Sequence, residues 1–576
     1  MKRMGACLTA ASLVLALALP TAGAVYQDVP QGSALAVEVQ KAVDAGLMNG
    51  YSADRFGYQD SMTRIQFVTV LSRMDPRNQG ARVDLLHIDS KAEQAMKIDL
   101  DALLKRNQEF FSALDAAVKH DIIDTTVPFR PDDPITRREM SEMLVRFLGL
   151  KSAAQLAEQQ LRNPDGDEGM LTNPSMGQLD VFPFTDVTEG KGYIAIAHDI
   201  GMTKGTTATT FSPNATATRA QAAAMLVRIH EKLERDLGER HGFYAISSYQ
   251  QLALAEKLDT VSAGWSRMTW DGRKAELSTT SVNGNEFCIP RGYEEVASRL
   301  QGKLYLNVFM DRSGGVAELL ASPEGRTQAV NQIVNELTIS YQNLGRNPYS
   351  GVTIDFEGLR STEKKNFTTF LQELSESVKQ LDRNLYVCVS PVLTTGSYYD
   401  GYDYADISAL ADKVILMAYD YDAQDMSQFV GTEYYKTAAP APMDQIYWSL
   451  RDALCQMDHS KVLLGFSSKN TAWQIDENGK LLSGKPVHPS NETVAKRLAQ
   501  SDTIRGWSDT YQQSYAIYTT EEGSRYFLWY QSDESIRVVA NTAKLLGVSG
   551  VSLWRVGMIP QETIGGTNWN WAPILK

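Results

Sequence analysis

Cysteine is scarce in this chain, with four in 576 residues: Cys7, Cys288, Cys388 and Cys455. Cys7 lies in an N-terminal leader. The other three are far apart, odd in number and without a Cys-x-x-Cys pair, which excludes a disulfide framework and a cysteine zinc site. Cys388 falls in the apolar run Leu385–Val389, where a buried thiol is expected. A positive balance is missing too. The 56 basic and 69 acidic residues leave a net charge of −13, which argues against a nucleic-acid partner and against charge-driven adhesion to anionic lipid. Beyond the leader, no segment is long and apolar enough to span a membrane. No Gly-x-Gly-x-x-Gly follows the first strand-like run of the second half, so a dinucleotide enzyme is not indicated. No residue pattern calls for a cofactor or a metal.

What is present begins with residues 1–24, which read as a secretory signal. Lys2 and Arg3 are followed by an apolar stretch from Ala6 to Pro20, and Ala22-Gly23-Ala24 supplies the small residues of a cleavage site. The remaining length is enough for several folded units, and 43% hydrophobic with 22% charged residues is ordinary for globular protein.

Three segments then share one pattern. The first runs from Tyr26-Gln27-Asp28-Val29 through Phe56 to Thr63-Arg64-Ile65-Gln66. The last runs from Phe184-Thr185-Asp186-Val187 through Phe211 to Thr218-Arg219-Ala220-Gln221. The middle copy is degenerate at its start but ends clearly, with Phe129 and Thr136-Arg137-Arg138-Glu139. In each, a Phe precedes the Thr by seven residues and an Arg follows it. The Thr caps a helix, and Thr136 with Glu139 makes a capping-box pattern. The repeats occupy residues 25–83, 84–150 (with an insertion near 90–107) and 181–235. A polar insertion or loop fills 151–180, where Asp165 and Asp167 lack the remaining spacing of a calcium loop. A charged helix from Ile229 to Gly242 is expected to link the repeats to a second unit over 241–576.

The repeats resemble the S-layer homology domain, which implies a helical three-fold prism anchored non-covalently to the bacterial cell wall or S-layer. In that family the Thr-Arg-Ala-Glu motif lies in grooves that hold an anionic secondary cell-wall polymer. Arg64, Arg137 and Arg219 match its arginine, a planar fork suited to carboxylate. Gln66 and Gln221 depart from the motif's Glu.

From His241 the pattern changes to short apolar runs alternating with helical stretches. Eight are read: Tyr244–Ile246, Thr260–Ala263, Leu304–Phe309, Gly351–Phe356, Leu385–Val389, Lys413–Met417, Lys461–Gly465 and Gly550–Leu553. They suit a (β/α)8 barrel, with a doubly wound open sheet as the alternative. The fold class is therefore multidomain, an α-helical repeat prism followed by an α/β barrel. Barrel chemistry sits at the C-terminal ends of the strands. The fourth run ends Thr353-Ile354-Asp355-Phe356-Glu357, whose period of two puts Thr353, Asp355 and Glu357 on one face. Two acids at i and i+2 arise by chance about eight times in so acidic a chain; placement at the end of an apolar strand is what singles out this pair. The sixth run ends Met417-Ala418-Tyr419-Asp420, and the eighth ends at Trp554, an indole suited to a sugar face. Trp265, after the second run, reads equally as a second platform or as a rim aromatic.

Asp355-x-Glu357, Met417-x-Tyr419-Asp420 and Trp554 together resemble glycoside hydrolase family 18. The segment Tyr526–Asp533 looks more like its bacterial branch acting on spore-cortex and cell-wall glycan. The resemblance implies Glu357 as general acid and Asp355 and Tyr419 as holders of the substrate acetamido group. It places Met417, Asp420 and Trp554 around the sugar, with Trp265 the further candidate platform read from its place after the second run. The substrate would carry N-acetylglucosamine, and the substrate's own acetamido oxygen would replace a second carboxylate nucleophile. Ser350 and Thr353 stand where the family has two further acids. The expected function is a wall-anchored enzyme cleaving N-acetylglucosaminyl bonds in peptidoglycan. The alternatives are a chitinase or endo-N-acetylglucosaminidase on external glycan, and a non-catalytic glycan-binding S-layer protein.

Overall fold

A computed structural model describes residues 26–78, 87–162, 182–280, 287–391, 400–564 and 567–575. The leader over 1–24 and the Asp165/Asp167 stretch lie outside the described residues. No helix among the described residues is long and apolar enough to cross a membrane.

The first half is helical. Its helices are α1 (Ala34–Asp44), α2 (Arg64–Met74), α3 (Ser90–Met96), α4 (Leu100–Arg106), α5 (Gln108–Lys119), α6 (Arg137–Phe147), α7 (Lys151–Arg162), α8 (Lys191–Asp199) and α9 (Arg219–Leu233). Helices α2, α6 and α9 open on Thr63, Thr136 and Thr218, each in a full capping box with Gln66, Glu139 or Gln221. The residues just before these threonines close a ring. Met62 N–H donates to Ala217 O, Ala217 N–H to Ile135 O, and Ile135 N–H to Met62 O, at 3.0, 3.1 and 2.8 Å. All three are buried, so the ring marks a three-fold axis through the core. The degenerate middle copy is thus a full member of the prism.

Its degeneracy has a structural answer. In the outer copies an Asp shapes the Phe loop: Asp28 accepts from the Phe56, Gly57 and Tyr58 amides, and Asp186 from those of Phe211 and Ser212. In the middle copy the Phe129 amide donates instead to Met96 O, at the end of α3 in the insertion. The stretch read as a polar loop from residue 151 is corrected in its first part. It forms α7, whose Ala153, Ala154 and Ala157 are buried.

The second half is a closed barrel of eight parallel strands: β1 (Glu239–Tyr244), β2 (Thr260–Trp270), β3 (Leu304–Met310), β4 (Gly351–Phe356), β5 (Asn384–Val389), β6 (Lys413–Leu416), β7 (Val462–Ser467) and β8 (Gly550–Val556). β1 pairs with both β2 and β8, which closes the sheet and removes the open-sheet alternative. Between β7 and β8, four antiparallel strands (Thr471–Ile475, Ile504–Ser508, Gln513–Thr519, Arg525–Tyr530) form a small second sheet around buried Trp473, Phe527 and Trp529.

The expected linking helix ends early. α9 stops at Leu233 and β1 begins at Glu239. Gly238 turns the chain between them at φ 81°, against Ser549 O, where a Cβ would come within 2.1 Å. Prism and barrel also share contacts. Asp199 at the end of α8 accepts from Tyr447 Oη at 2.6 Å and Arg451 Nε at 2.9 Å, and Lys544 Nζ donates to Leu233 O at 2.7 Å.

Candidate active site

β4 alternates as its sequence demands. Val352, Ile354 and Phe356 face outward, and the Phe356 ring stacks on Phe370 of the helix Lys364–Gln380. Thr353 and Asp355 are buried on the opposite, inner face. Glu357 follows, tied to the end of β3 by its amide on Met310 O at 2.8 Å.

The barrel interior below is filled by Phe243, Tyr305, Tyr386, Cys388, Ile415 and Leu463, with half-buried Met417 and Trp554 packed on this cluster. The Trp554 ring meets that of Phe243 at 5.2 Å and 61°. Tyr419 has room beside β7 because position 465 is Gly; a Cβ there would stand 2.9 Å from the Tyr419 ring. Asp420 next to it adopts φ 59°, a left-handed conformation that Asp tolerates.

These groups share one field. Burial, and then the charges of Asp355, Asp311 and Asp420, push the Glu357 carboxyl up to about 8. Burial lifts Asp355 to about 6 against hydrogen bonds from Asn307 and the Cys388 thiol. Burial, then Cys388, Asp355, Asp420 and Glu357, drive the Tyr419 phenol well above its ordinary value. A carboxyl that stays protonated at neutral pH beside a second, more readily ionised one is a proton donor with an anionic neighbour.

Beneath the carboxyls lies a neutral chain. His241 holds Ser552 Oγ at 2.7 Å through Nδ1 and Ser262 Oγ at 2.8 Å through Nε2, and Ser262 bonds Thr353 Oγ1 at 2.5 Å. Burial lowers His241 to about 3, so its ring stays neutral. Thr353, where an acid was expected, therefore serves this uncharged network.

The structure thus brings Asp355, Glu357, Tyr419, Asp420, Met417 and Trp554 to one end of one barrel. It separates Trp265 from them, a correction of the platform reading. β2 does not stop at Ala263 but runs on to Trp270, so Trp265 lies mid-strand, fully buried between Tyr244 and Tyr349. Sequence reasoning missed Asn307, the lone polar residue in the apolar run Leu304–Met310, and Asp311, paired with Arg267 at 2.9 Å. No cluster of three or more His, Cys, Asp or Glu able to hold a metal occurs among the described residues.

The three prism arginines are not open forks. Arg64 reaches from the first copy to Glu139 of the second at 2.6 Å. Arg137 reaches from the second to Phe211 O and Lys204 O of the third, at 2.9 and 2.7 Å. Arg219 returns to Phe56 O and Asn49 O of the first, at 3.0 and 2.7 Å, with its guanidinium over the Tyr51 ring. Each stitches one copy to the next. Arg64 also lines a groove of mixed charge, with Lys97, Arg130, Arg138 and Arg146 beside Asp124, Glu139 and Glu142, and its Nη1 faces Asp133 Oδ2 at 3.5 Å.

The glycosyl hydrolases family 18 profile matches residues 307–558, and the S-layer homology domain profile matches 26–68 and 183–223. The cortical fragment-lytic enzyme of Bacillus subtilis (strain 168) is 23% identical over 258 residues, covering 44% of this chain and 55% of that enzyme. The enzyme of the same name from Bacillus anthracis is 21% identical over 216 residues, covering 37% and 47%. The chain thus spans about half the length of these curated relatives. The crystal structure of the Bacillus cereus spore cortex-lytic enzyme SleL aligns with a TM-score of 0.45 and 17% identity, over 59% of this chain and 73% of that one.

Proposed function

We propose, for a chain that joins S-layer homology domains to a glycosyl hydrolase family 18 domain, that it is a wall-held glycosidase cleaving N-acetylglucosaminyl bonds in peptidoglycan. The observation that carries the reading is the pair of acids at the C-terminal end of β4, Asp355 buried on its inner face and Glu357 directly after it, both carboxyls pushed up by burial. The names of the cortical fragment-lytic relatives favour peptidoglycan as the polymer.

Glu357 gives its proton to the glycosidic oxygen as the bond from that oxygen to the anomeric carbon breaks. The acetamido oxygen of the same sugar attacks the anomeric carbon, forming an oxazolinium ion, as the substrate-assisted families do. Asp355 accepts the acetamido N–H and balances the positive charge, and Tyr419 Oη donates to the acetamido oxygen. Glu357, now ionised, takes a proton from water as that water opens the ring, and the anomeric configuration is retained. Trp554 underlies the sugar face, with Asp420 and Met417 beside it. The domain boundaries at about 25–235 and 241–576 divide wall attachment from chemistry. The groove lined by Arg64, with Lys97, Arg130, Arg138 and Arg146, is where an anionic wall polymer would be held.

The test incubates the secreted chain and its Glu357→Gln variant with purified peptidoglycan and with chitin oligomers, and reads new reducing ends by mass spectrometry. Fragments ending in N-acetylglucosamine from peptidoglycan, absent with the variant, are expected. Cleavage of chitin alone would move the substrate outside the wall, and cleavage of neither would overturn the peptidoglycan reading in favour of a glycan-binding protein or an enzyme for N-glycan.

A further inference from the structure

Asp355 is an unusual buried acid, because its neighbours on the strand do not hold it. Thr353, two residues earlier on the same face, is turned to Ser262 and the neutral His241 chain. The groups that reach Asp355 come from the strands on either side. From β3, Asn307 Nδ2 donates to Asp355 Oδ2 at 3.4 Å. From β5, the buried Cys388 thiol adjoins it. Asn307 is 1% exposed and sits in register opposite Thr353, one step below Asp355. Other titratable groups face it: Glu357 just after its own strand, Tyr419 and Asp420 after β6, and Tyr402, whose phenol donates to Phe356 O at 2.8 Å.

Two buried oxygens in this contact have no partner: Asp355 Oδ1 and Asn307 Oδ1. Buried polar atoms are nearly always paired, and leaving one unmade costs about 1–3 kcal/mol. Two unpaired acceptors on one hydrogen-bonded pair indicate a pair built to receive further donors. Asp355 Oδ1 is free for the substrate's acetamido N–H. When that acid is neutral, a half-turn of the Asn307 amide brings Oδ1 round to accept the proton of Asp355 itself. An amide offers a donor at one end and an acceptor at the other, so it can serve both protonation states, which a second carboxylate could do only by carrying a proton of its own.

We propose that Asn307 is the positioning residue of Asp355, a neutral side chain from the neighbouring strand doing the work that an acid at position 353 would otherwise do. The inference rests on the proposed reaction for its consequence, but the pairing itself can be read without substrate.

The experiment uses the secreted chain and its Asn307→Ala, Asn307→Leu and Asn307→Ala/Thr353→Asp variants. Infrared difference spectra against pH follow the carboxyl band of Asp355, assigned by its loss in Asp355→Asn. Loss of the amide donor moves the midpoint of that band to higher pH in Asn307→Ala. Asn307→Leu, close to the native volume without polar atoms, gives the same shift if the alanine variant is poorly folded. With chitin oligomers or peptidoglycan, kcat falls about 10- to 100-fold, the worth of a hydrogen bond to a charged group, while KM changes little. Restoring an acid in Asn307→Ala/Thr353→Asp recovers at least part of kcat. A midpoint that does not move in either single variant overturns the pairing, whatever the activity does. A moved midpoint with unchanged kcat in an active enzyme overturns the positioning role.

Discussion

Replacing Glu357 by Gln should stabilise the protein, and by an amount that depends on pH. Burial, and then the charges of Asp355, Asp311 and Asp420, carry the Glu357 carboxyl from its ordinary 4.5 to about 8. A gap of that size corresponds to about 5 kcal/mol in favour of the neutral form, at 1.36 kcal/mol per pKa unit. The side chain is partly open to solvent, so about half of that, ~2–3 kcal/mol, is the working figure. The folded state binds this proton more tightly than the unfolded chain does, so stability falls as pH rises through the window from about 4.5 to 8. Below the window both states are protonated and nothing is lost; above it the full penalty is present. Glutamine does not titrate, so the variant escapes the loss. Asp355, raised to about 6, adds a slope of the same sign to both proteins and largely cancels in the comparison. The melting temperatures should therefore coincide near pH 4.5 and diverge to about 4–12 °C above pH 8, at ~2–4 °C per kcal/mol for a large domain. All nine tryptophans follow residue 264, so their fluorescence reports the barrel and not the prism. A gain that is flat with pH, or a variant that melts below the wild type at pH 8, would refute the claim that Glu357 is held neutral by its surroundings.

The pH profile of kcat/KM should be bell-shaped, with limbs near 6 and 8 that belong to the Asp355–Glu357 pair, and Asp420→Asn should move the alkaline limb down by removing a charge that lifts Glu357. Trp554→Ala should raise KM for oligosaccharides about five- to tenfold with little change in melting temperature, whereas Trp265→Ala should lower the melting temperature and leave KM alone; equal effects on KM would contradict their different burial. Arg219→Ala should destabilise the prism by about 2–4 kcal/mol, through two lost bonds to carbonyl oxygens and a lost ring contact, as read by circular dichroism of the helical half. An unchanged prism would mean that the arginine does no stitching.

The eight barrel strands were legible because seven of them are apolar runs with the right punctuation. β4 was legible in full, since its outward Val352, Ile354 and Phe356 alternate with Thr353 and Asp355. β1 was placed too late, at Tyr244–Ile246, because its true start, Glu239-Arg240-His241, looks like helix surface. What makes those residues strand is pairing with residues hundreds of positions away, as in His241 with Ser552. The same holds for Asn307, whose role depends on which strand lies beside it. α7 was missed for a different reason. Its buried stripe is Ala153, Ala154 and Ala157, too small to stand out among Gln and Glu. Trp265 was misplaced because nothing in the sequence says that β2 runs on seven residues past Ala263.

The prism arginines show why a motif can be seen correctly and still be misread. Three Thr-Arg pairs at one spacing do mark three equivalent positions, but two of the three side chains end on backbone carbonyls, which carry no sequence signature. The departures at Gln66 and Gln221 account for the split. In the middle copy Glu139 has two acceptor oxygens: Oε2 takes the Thr136 amide for the capping box, and Oε1 takes the Arg64 guanidinium from the copy before. A glutamine has one acceptor, and in the outer copies the cap uses it, with Thr63 N–H on Gln66 Oε1 and Thr218 N–H on Gln221 Oε1. Arg137 and Arg219, which reach toward these copies, therefore turn to the carbonyls of Phe211, Lys204, Phe56 and Asn49. The one interface that keeps the Glu keeps the ion pair, and there Arg64 retains a buried Nη1 without a hydrogen bond. That Nη1 faces Asp133 Oδ2 at 3.5 Å, so Arg64 is the one of the three whose fork meets two acids rather than two backbone carbonyls.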